Sequence, residues 1–160
     1  MKVLLVCALP RVAVQVTTVL VDAQFTQVGT PQRALALLDA GETFDVIVAD
    51  NDTRPSGGFH LSREVKARAQ MGATMPPVML LLARDQDRFL ANWSQADAYM
   101  VKPIDPFDLE EVVRSLAGGL PVPSLPRVGG EPTASPFDVP GPADEEPTSQ
   151  PVGGLTWGGP

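Results

Sequence analysis

The chain has 160 residues, 44% of them hydrophobic, which is enough for one domain with a buried core. One cysteine and one histidine exclude an internal disulfide and any zinc site that needs several of these residues. The net charge of −7 argues against nucleic-acid binding, which needs a basic surface, and no apolar run is long enough to span a membrane.

Short apolar runs alternate along residues 1–118 with longer segments of helical period. The runs predict five strands, at residues 3–6, 25–28, 46–49, 78–83 and 98–101. Three of them are nearly continuous, which is typical of strands buried on both faces of a parallel sheet. The first run follows a single lysine and lacks a small-residue cleavage site downstream, so it predicts a strand of a cytoplasmic protein and not a signal peptide.

The segments between the runs carry helix signals. Residues 10–23 are predicted to be helical, because a crossover between parallel strands needs about a dozen residues. Thr30 followed by Pro31 predicts the start of a second helix, and Asp105 followed by Pro106 predicts the start of the last one. Five strands alternating with five helices predict a doubly wound α/β fold with a five-stranded parallel sheet, whose sites lie at the carboxyl ends of the strands.

The composition changes after residue 118. The segment 119–160 contains 10 prolines and 8 glycines among 42 residues, with no helical or strand period. Such a segment buries too little apolar surface to offset the entropy lost on ordering. We therefore predict a domain at residues 1–118 and a disordered, acidic tail at residues 119–160, in which Phe137 and Trp157 are candidate anchors for a partner.

Several segments, in order, resemble the bacterial two-component receiver domain of response regulators. DVIVAD at residues 45–50 resembles the strand that ends on the phospho-acceptor aspartate, which assigns that role to Asp50. ADAYMVKPID resembles the fifth strand, with the switch aromatic at Tyr99 and the pocket lysine at Lys102, before an expected cis bond to Pro103. The resemblance covers residues 1–118 and implies a flavodoxin-like (β/α)5 receiver that signals and is not an enzyme.

The chain departs from the family pattern at the residues that matter for phosphorylation. Cys7 and Ala8 stand where the family has the acidic pair that holds Mg²⁺, and Leu82 replaces the Ser or Thr that bonds to the phosphoryl group. Asp50 and the carbonyl of Asp52 are the ligands that remain at most, unless Asp52 turns its side chain inward. The negative charge of Asp50 and the positive charge of Lys102 balance each other without a metal ion. We therefore expect no resident cofactor, weak Mg²⁺ binding at most, and impaired phosphorylation.

Three functions follow from this reading. The first is an atypical stand-alone receiver in two-component or phosphorelay signalling that acts mainly as a protein-interaction module. The alternative is a functional single-domain phosphorelay regulator phosphorylated on Asp50. A flavodoxin-like nucleotide or flavin binder is disfavoured, because CALPRV after the first strand contains no glycine for a phosphate loop.

The expected partner is a protein, either a histidine kinase or a downstream signalling protein, and not a nucleic acid or a membrane. The resemblance implies that it docks on the face formed by the fourth helix, fifth strand and fifth helix. A homodimer through the same face is left open. On this reading Tyr99 packs in that region and does not move as a switch, and Cys7 is a small core residue.

Overall fold

The structure is a computed structural model that describes residues 1–53 and 57–130. Strands and helices alternate along these residues, with a 3₁₀ turn at Asp85–Asp87 before the fourth helix. The bounds are β1 Lys2–Val6, α1 Pro10–Val19, β2 Gln24–Val28, α2 Pro31–Asp39, β3 Val46–Asp50, α3 Gly57–Gln70, β4 Val78–Leu82, α4 Arg88–Trp93, β5 Ala98–Val101, α5 Pro106–Ala117 and β6 Val128–Gly129.

The strands form one sheet in the order β2-β1-β3-β4-β5-β6. The first five are mutually parallel, which confirms the doubly wound α/β fold, and β6 runs antiparallel to β5. The expected five-stranded sheet therefore gains a sixth, two-residue strand at its edge. Local sequence gives no sign of it, since two residues carry no period and their pairing depends on a distant strand.

Side chains that alternate along the strands enter two separate cores. Val3 and Leu5 belong to the core that contains residues of α1 and α5, whereas Leu4 and Val6 belong to the core that contains residues of α2, α3 and α4. All residues of β3 and β4 are buried, as expected for the central strands of a sheet with helices on both faces. Among the described residues, no helix combines the length and hydrophobicity needed to cross a bilayer.

The helix starts follow the sequence signals closely. The Thr30 hydroxyl accepts a hydrogen bond from the Arg33 amide at 3.2 Å, and the Asp105 carboxylate accepts from the amides of Phe107 and Asp108. The end of α1 differs from the prediction, since the helix stops at Val19 and not at residue 23.

The early end of α1 has a packing reason. Leu20 leaves helical geometry and is completely buried, and its carbonyl accepts a hydrogen bond from the Ala23 amide at 3.0 Å. This turn leads the chain directly into β2.

The second difference from the prediction lies at the domain boundary after residue 118. We call residues 119–130 the strap. After α5, the Leu120 amide donates to the Ser115 carbonyl at 2.8 Å, and the chain returns along the edge of the sheet. Val122 and Leu125 pack against the core, and Val128 is 8% exposed. The predicted disordered tail thus does not begin at residue 119; its remainder, with Phe137 and Trp157, lies outside the described residues.

Candidate functional site

The carboxyl ends of β1, β3, β4 and β5 meet at one edge of the sheet. Asp50 is the last residue of β3 and pairs in register with Leu81 of β4. The amide of Lys102, directly after β5, donates to the carbonyl of Leu82 at 2.8 Å. The parallel sheet therefore brings together Asp50, Leu82, Lys102 and Cys7, residues that the sequence singles out from four separate segments.

The centre of this site is a buried ion pair. The Nζ atom of Lys102 lies 3.0 Å from Oδ1 of Asp50, whose side chain is 1% exposed. The backbone amide of Asp52 donates to the same oxygen at 3.1 Å. One carboxylate oxygen of Asp50 thus has an ammonium donor and an amide donor, so the charge of the carboxylate is compensated by the chain itself.

Cys7 faces the other carboxylate oxygen. Its Sγ lies 3.8 Å from Oδ2 of Asp50 and donates a hydrogen bond to the Leu9 carbonyl at 3.2 Å. Burial raises the pKa of the Cys7 thiol above its ordinary value of 9.0, and the nearby Asp50 charge acts in the same direction. Cys7 therefore offers a neutral thiol at a position where a Mg²⁺ site would need a carboxylate. The adjacent Ala8 is exposed, and its side chain offers no ligand for a metal ion.

The side chain of Asp52 adds a second carboxylate near Lys102. The sequence assigns a role to its carbonyl, but its side chain also turns to Lys102, with Oδ2 3.8 Å from Nζ. Because this carboxylate is 51% exposed, water screens its charge and the contact is weak. Lys102 therefore lies between one buried and one half-exposed carboxylate.

The residues present do not fit the magnesium site of a receiver. Within residues 1–53 and 57–130, no three His, Cys, Asp or Glu side chains cluster in a way that could hold a metal ion. Mg²⁺ requires oxygen ligands in near-octahedral geometry, and it is usually held by at least one free carboxylate oxygen. Here Oδ1 of Asp50 is engaged by Lys102 and the Asp52 amide, and Oδ2 faces a thiol.

Leu82 and Tyr99 lie in the same core cluster, on the side of α2, α3 and α4. Leu82 is completely buried, and Tyr99 is 7% exposed. The Tyr99 ring lies under the Arg88 guanidinium, 5.9 Å from ring centroid to Cζ. Tyr99 is thus held by packing, and Leu82 has no hydroxyl that could link it to an acyl phosphate on Asp50.

Thr53 is a site residue that the sequence reasoning missed. Its side chain is 3% exposed, its amide donates to the Asp50 carbonyl at 3.1 Å, and its hydroxyl donates to the Val6 carbonyl at 3.5 Å. These contacts join the loop after β3 to the end of β1. A threonine in a polar loop gives no local signal of such a role, because the contact depends on the packing of two strands.

Comparison with known proteins finds relatives in sequence and solved structures with the same fold. No protein-family model matches the chain. An uncharacterized response regulatory protein of Mycobacterium tuberculosis strain H37Rv is 32% identical over 95 residues, which are 59% of this chain and 68% of that protein. The corresponding protein of strain CDC 1551 / Oshkosh matches equally.

Solved structures of receiver domains share the fold. The receiver domain of a Syntrophus aciditrophicus histidine kinase has a TM-score of 0.65 and 24% identity, covering 74% of this chain and 90% of that one. The receiver domain of the histidine kinase PA1611 of Pseudomonas aeruginosa has a TM-score of 0.63 and 22% identity, covering 73% and 97%. The receiver domain of Saccharomyces cerevisiae Ssk1, crystallised with Ypd1, has a TM-score of 0.66 and 15% identity, covering 74% and 89%. Fold, site position and relatives together show that this chain belongs to the response regulator family and carries its receiver domain.

Proposed function

We propose that the chain is an atypical receiver that acts in two-component or phosphorelay signalling mainly as a protein-interaction module, with impaired Mg²⁺-dependent phosphorylation. The observation that supports this proposal most directly is the set of residues around the Asp50 carboxylate. Its buried carboxylate is held by Lys102 and by the Asp52 amide, while Cys7 and Ala8 occupy the positions of the family's acidic pair.

Phosphoryl transfer to a carboxylate depends mainly on positioning and on neutralising the charge of the transferred group. A bound metal ion supplies much of that neutralisation. The PA1611 receiver structure contains a magnesium ion coordinated in its active-site cleft, so the fold can hold one. In this chain the residue types at the equivalent strand end, a thiol and a methyl group, supply no oxygen ligand.

Leu82 is an independent argument for the same proposal. In a responsive receiver, a hydroxyl at this strand end bonds to the phosphoryl group and so transmits its arrival. The leucine side chain cannot do this, and it is completely buried beside the Tyr99 cluster. Even a phosphorylated Asp50 would therefore lack the contact that carries the signal towards Tyr99.

Exposed aromatic side chains on one helix support the role in protein interaction. Phe89 and Trp93 lie one turn apart on α4 and are 68% and 60% exposed, and the Arg63 guanidinium of α3 lies 4.1 Å from the centroid of the Trp93 ring. Grouped apolar side chains on a surface mark protein-binding sites more often than isolated ones do. The Ssk1 receiver was crystallised with a histidine phosphotransfer protein, which makes a histidine kinase, a phosphotransfer protein or a downstream signalling protein the kind of partner to expect here.

The phosphorylation half of the proposal is tested by intact-mass spectrometry after incubation with Mg²⁺ and acetyl phosphate. We expect no phosphoryl adduct on the chain, and a receiver with an intact acidic pair serves as the positive control. An adduct that disappears in the Asp50→Asn variant would contradict the proposal and establish the alternative, a functional phosphorelay regulator that uses Asp50.

The interaction half is tested by calorimetric titration against histidine kinase and phosphotransfer domains from the same organism. We expect binding to at least one domain, reduced at least about tenfold by Phe89→Ser combined with Trp93→Ser; a tenfold change corresponds to about 1.4 kcal/mol. The matched control is Met71→Ser, at an 88% exposed residue in the turn directly after α3. Equal loss in the control variant would contradict the assignment of the surface.

A further inference from the structure

Two exposed aromatic side chains and one cation form a surface between α3 and α4. Phe89 and Trp93 lie one turn apart on α4, and the Arg63 guanidinium of α3 lies 4.1 Å from the centroid of the Trp93 ring. We call these three residues the α3-α4 patch. Because Arg63 belongs to α3, the patch extends beyond the face of the fourth helix, fifth strand and fifth helix that the family resemblance implies.

The α3-α4 patch carries a positive charge that is not balanced locally. Within residues 1–53 and 57–130, no carboxylate forms an ion pair with Arg63. The carboxylates nearby have cations of their own, since Asp97 pairs with Lys66 and Glu64 pairs with Arg68. A segment that covers the patch should therefore carry negative charge and should offer an apolar side chain to the aromatic rings.

A buried contact fixes the two helices that carry the patch. The Ser62 hydroxyl donates to the Ser94 carbonyl at 3.0 Å, and both residues are completely buried. Ser62 directly precedes Arg63, and Ser94 directly follows Trp93. The patch is thus formed before anything binds to it, which lowers the entropic cost of docking.

The strap ends close to the α3-α4 patch. A Cβ atom on Gly130 would lie 2.4 Å from the carbonyl oxygen of Asp97, so the end of the strap lies against the residue that precedes β5. Asp97 is four residues from Trp93, which limits the distance between them to about 14 Å. Phe137 is seven residues beyond Gly130 and can lie up to about 25 Å from it, so it can reach the patch.

We propose that residues 137–146 of this chain, FDVPGPADEE, dock on the α3-α4 patch and cover it. These residues lie outside the described ones, and their sequence offers what the patch calls for. The segment has Phe137 as an apolar anchor, no basic residue, and four carboxylates, at Asp138, Asp144, Glu145 and Glu146. The inference rests on the proposed function in one respect, namely that the patch is a docking surface for protein.

A weak contact is sufficient for this docking, because both parts belong to one chain. Two groups separated by a few residues meet at an effective concentration of about 1 mM. The charge component should depend on salt, since the Debye length falls from about 10 Å at 0.1 M to about 3 Å at 1 M ionic strength.

The test uses the full chain with Trp157→Phe, which leaves Trp93 as the only tryptophan. Quenching of its fluorescence by acrylamide, a neutral quencher, measures the access of solvent to the ring. We expect the quenching constant to rise at least about twofold on adding Phe137→Ser, or Glu145→Gln combined with Glu146→Gln, because a patch covered for at least about half of the time becomes free. Sodium chloride at about 1 M should raise it in the parent chain as well.

The matched controls change the same residue types elsewhere. Leu155→Ser removes an apolar residue outside the segment, and Glu42→Gln combined with Glu111→Gln removes two exposed carboxylates of the domain. Both controls should be quenched as weakly as the parent chain.

The inference is overturned if the segment variants are quenched no more than the parent chain, or if the controls are quenched as strongly as the segment variants. It is also overturned if dilution of the parent chain exposes Trp93, which would identify a second copy as the occupant. These measurements need no phosphodonor or partner protein, so a failure here is distinguishable from a failure of the proposed function.

Discussion

At the residue scale, the central feature is the Asp50 side chain, which is nearly inaccessible to water and lies beside a lysine. Asp50 is 1% exposed, and Lys102 is the cation that compensates it. Removing one partner of a buried pair leaves the other charge uncompensated, which is far more destabilising than losing an exposed pair. We therefore expect the pair to contribute to the stability of the unphosphorylated domain.

Lys102→Met should lower the free energy of unfolding by about 3 kcal/mol, because Asp50 then remains buried without its cation. Adding Asp50→Asn to this variant should recover a large part of that loss, since a neutral amide needs no counter-charge. Urea unfolding of the two variants and the natural chain measures both effects. Equal stability of Lys102→Met and the natural chain would show that the pair does not hold the site together.

The Cys7 thiol gives a second prediction at this scale. Because burial raises the pKa of the thiol above 9.0, the thiolate is disfavoured in the folded chain. The folded chain should resist labelling by an aromatic disulfide reagent at neutral pH, and the chain in urea should react fully. Because folding raises the pKa of the Cys7 thiol, the free energy of unfolding should decline as pH rises past 9.0. The decline should be smaller in the Cys7→Ala variant, which has no thiol to ionise. Fast labelling of the folded chain would contradict the buried, neutral thiol.

At the element scale, two ion pairs tie helices to their neighbours. Arg68 of α3 bonds to Asp39 at the end of α2 through two hydrogen bonds of 2.7 and 2.9 Å. Arg114 of α5 bonds to Asp22, in the turn after α1, at 2.8 Å. In both cases the guanidinium hydrogen bond is the main cause that lowers the pKa of the aspartate.

These lowered pKa values predict a loss of stability in acid. Folding favours the ionised carboxylates, so their contribution is present above the ordinary pKa of 3.8 and is lost as pH falls through the lowered values. Asp39→Asn and Asp22→Asn should therefore flatten the decline of the urea midpoint below pH 3.8, whereas Glu111→Gln, an exposed change on α5, should not. An unchanged acid profile in both aspartate variants would show that the pairs contribute nothing to folding.

How far the sequence predicts these elements depends on whether the signal is local. The apolar runs at β3 and β4 are strong local signals, and Thr30 and Asp105 cap their helices as their positions indicate. The helix α1 ends four residues before its predicted end at residue 23, because the apolar residues keep a helical spacing up to that point, whereas the burial of Leu20 stops the helix. The strap gives no local signal in the sequence, because its strand forms only by pairing with β5.

At the scale of the whole molecule, the position of the site follows from the topology. Parallel strands place the ends of β1, β3, β4 and β5 together, so the sequence alone identified Asp50, Lys102, Cys7 and Leu82 as neighbours. It leaves open whether the Asp52 side chain turns inward, and it predicts neither the contact of that side chain with Lys102 nor the buried hydrogen bonds of Thr53. Both residues lie in a loop, whose conformation is set by the strands around it and not by its own pattern.

At this scale, the impaired receiver and the functional regulator differ in whether the site binds a divalent ion. Isothermal titration of the natural chain with Mg²⁺ is the most direct measurement, with a Cys7→Asp, Ala8→Asp double variant as the comparison. We expect no saturable heat for the natural chain and one-to-one binding for the double variant, which has two further carboxylates beside Asp50. Saturable Mg²⁺ binding by the natural chain that is abolished by Asp50→Asn would contradict the proposed loss of the magnesium site.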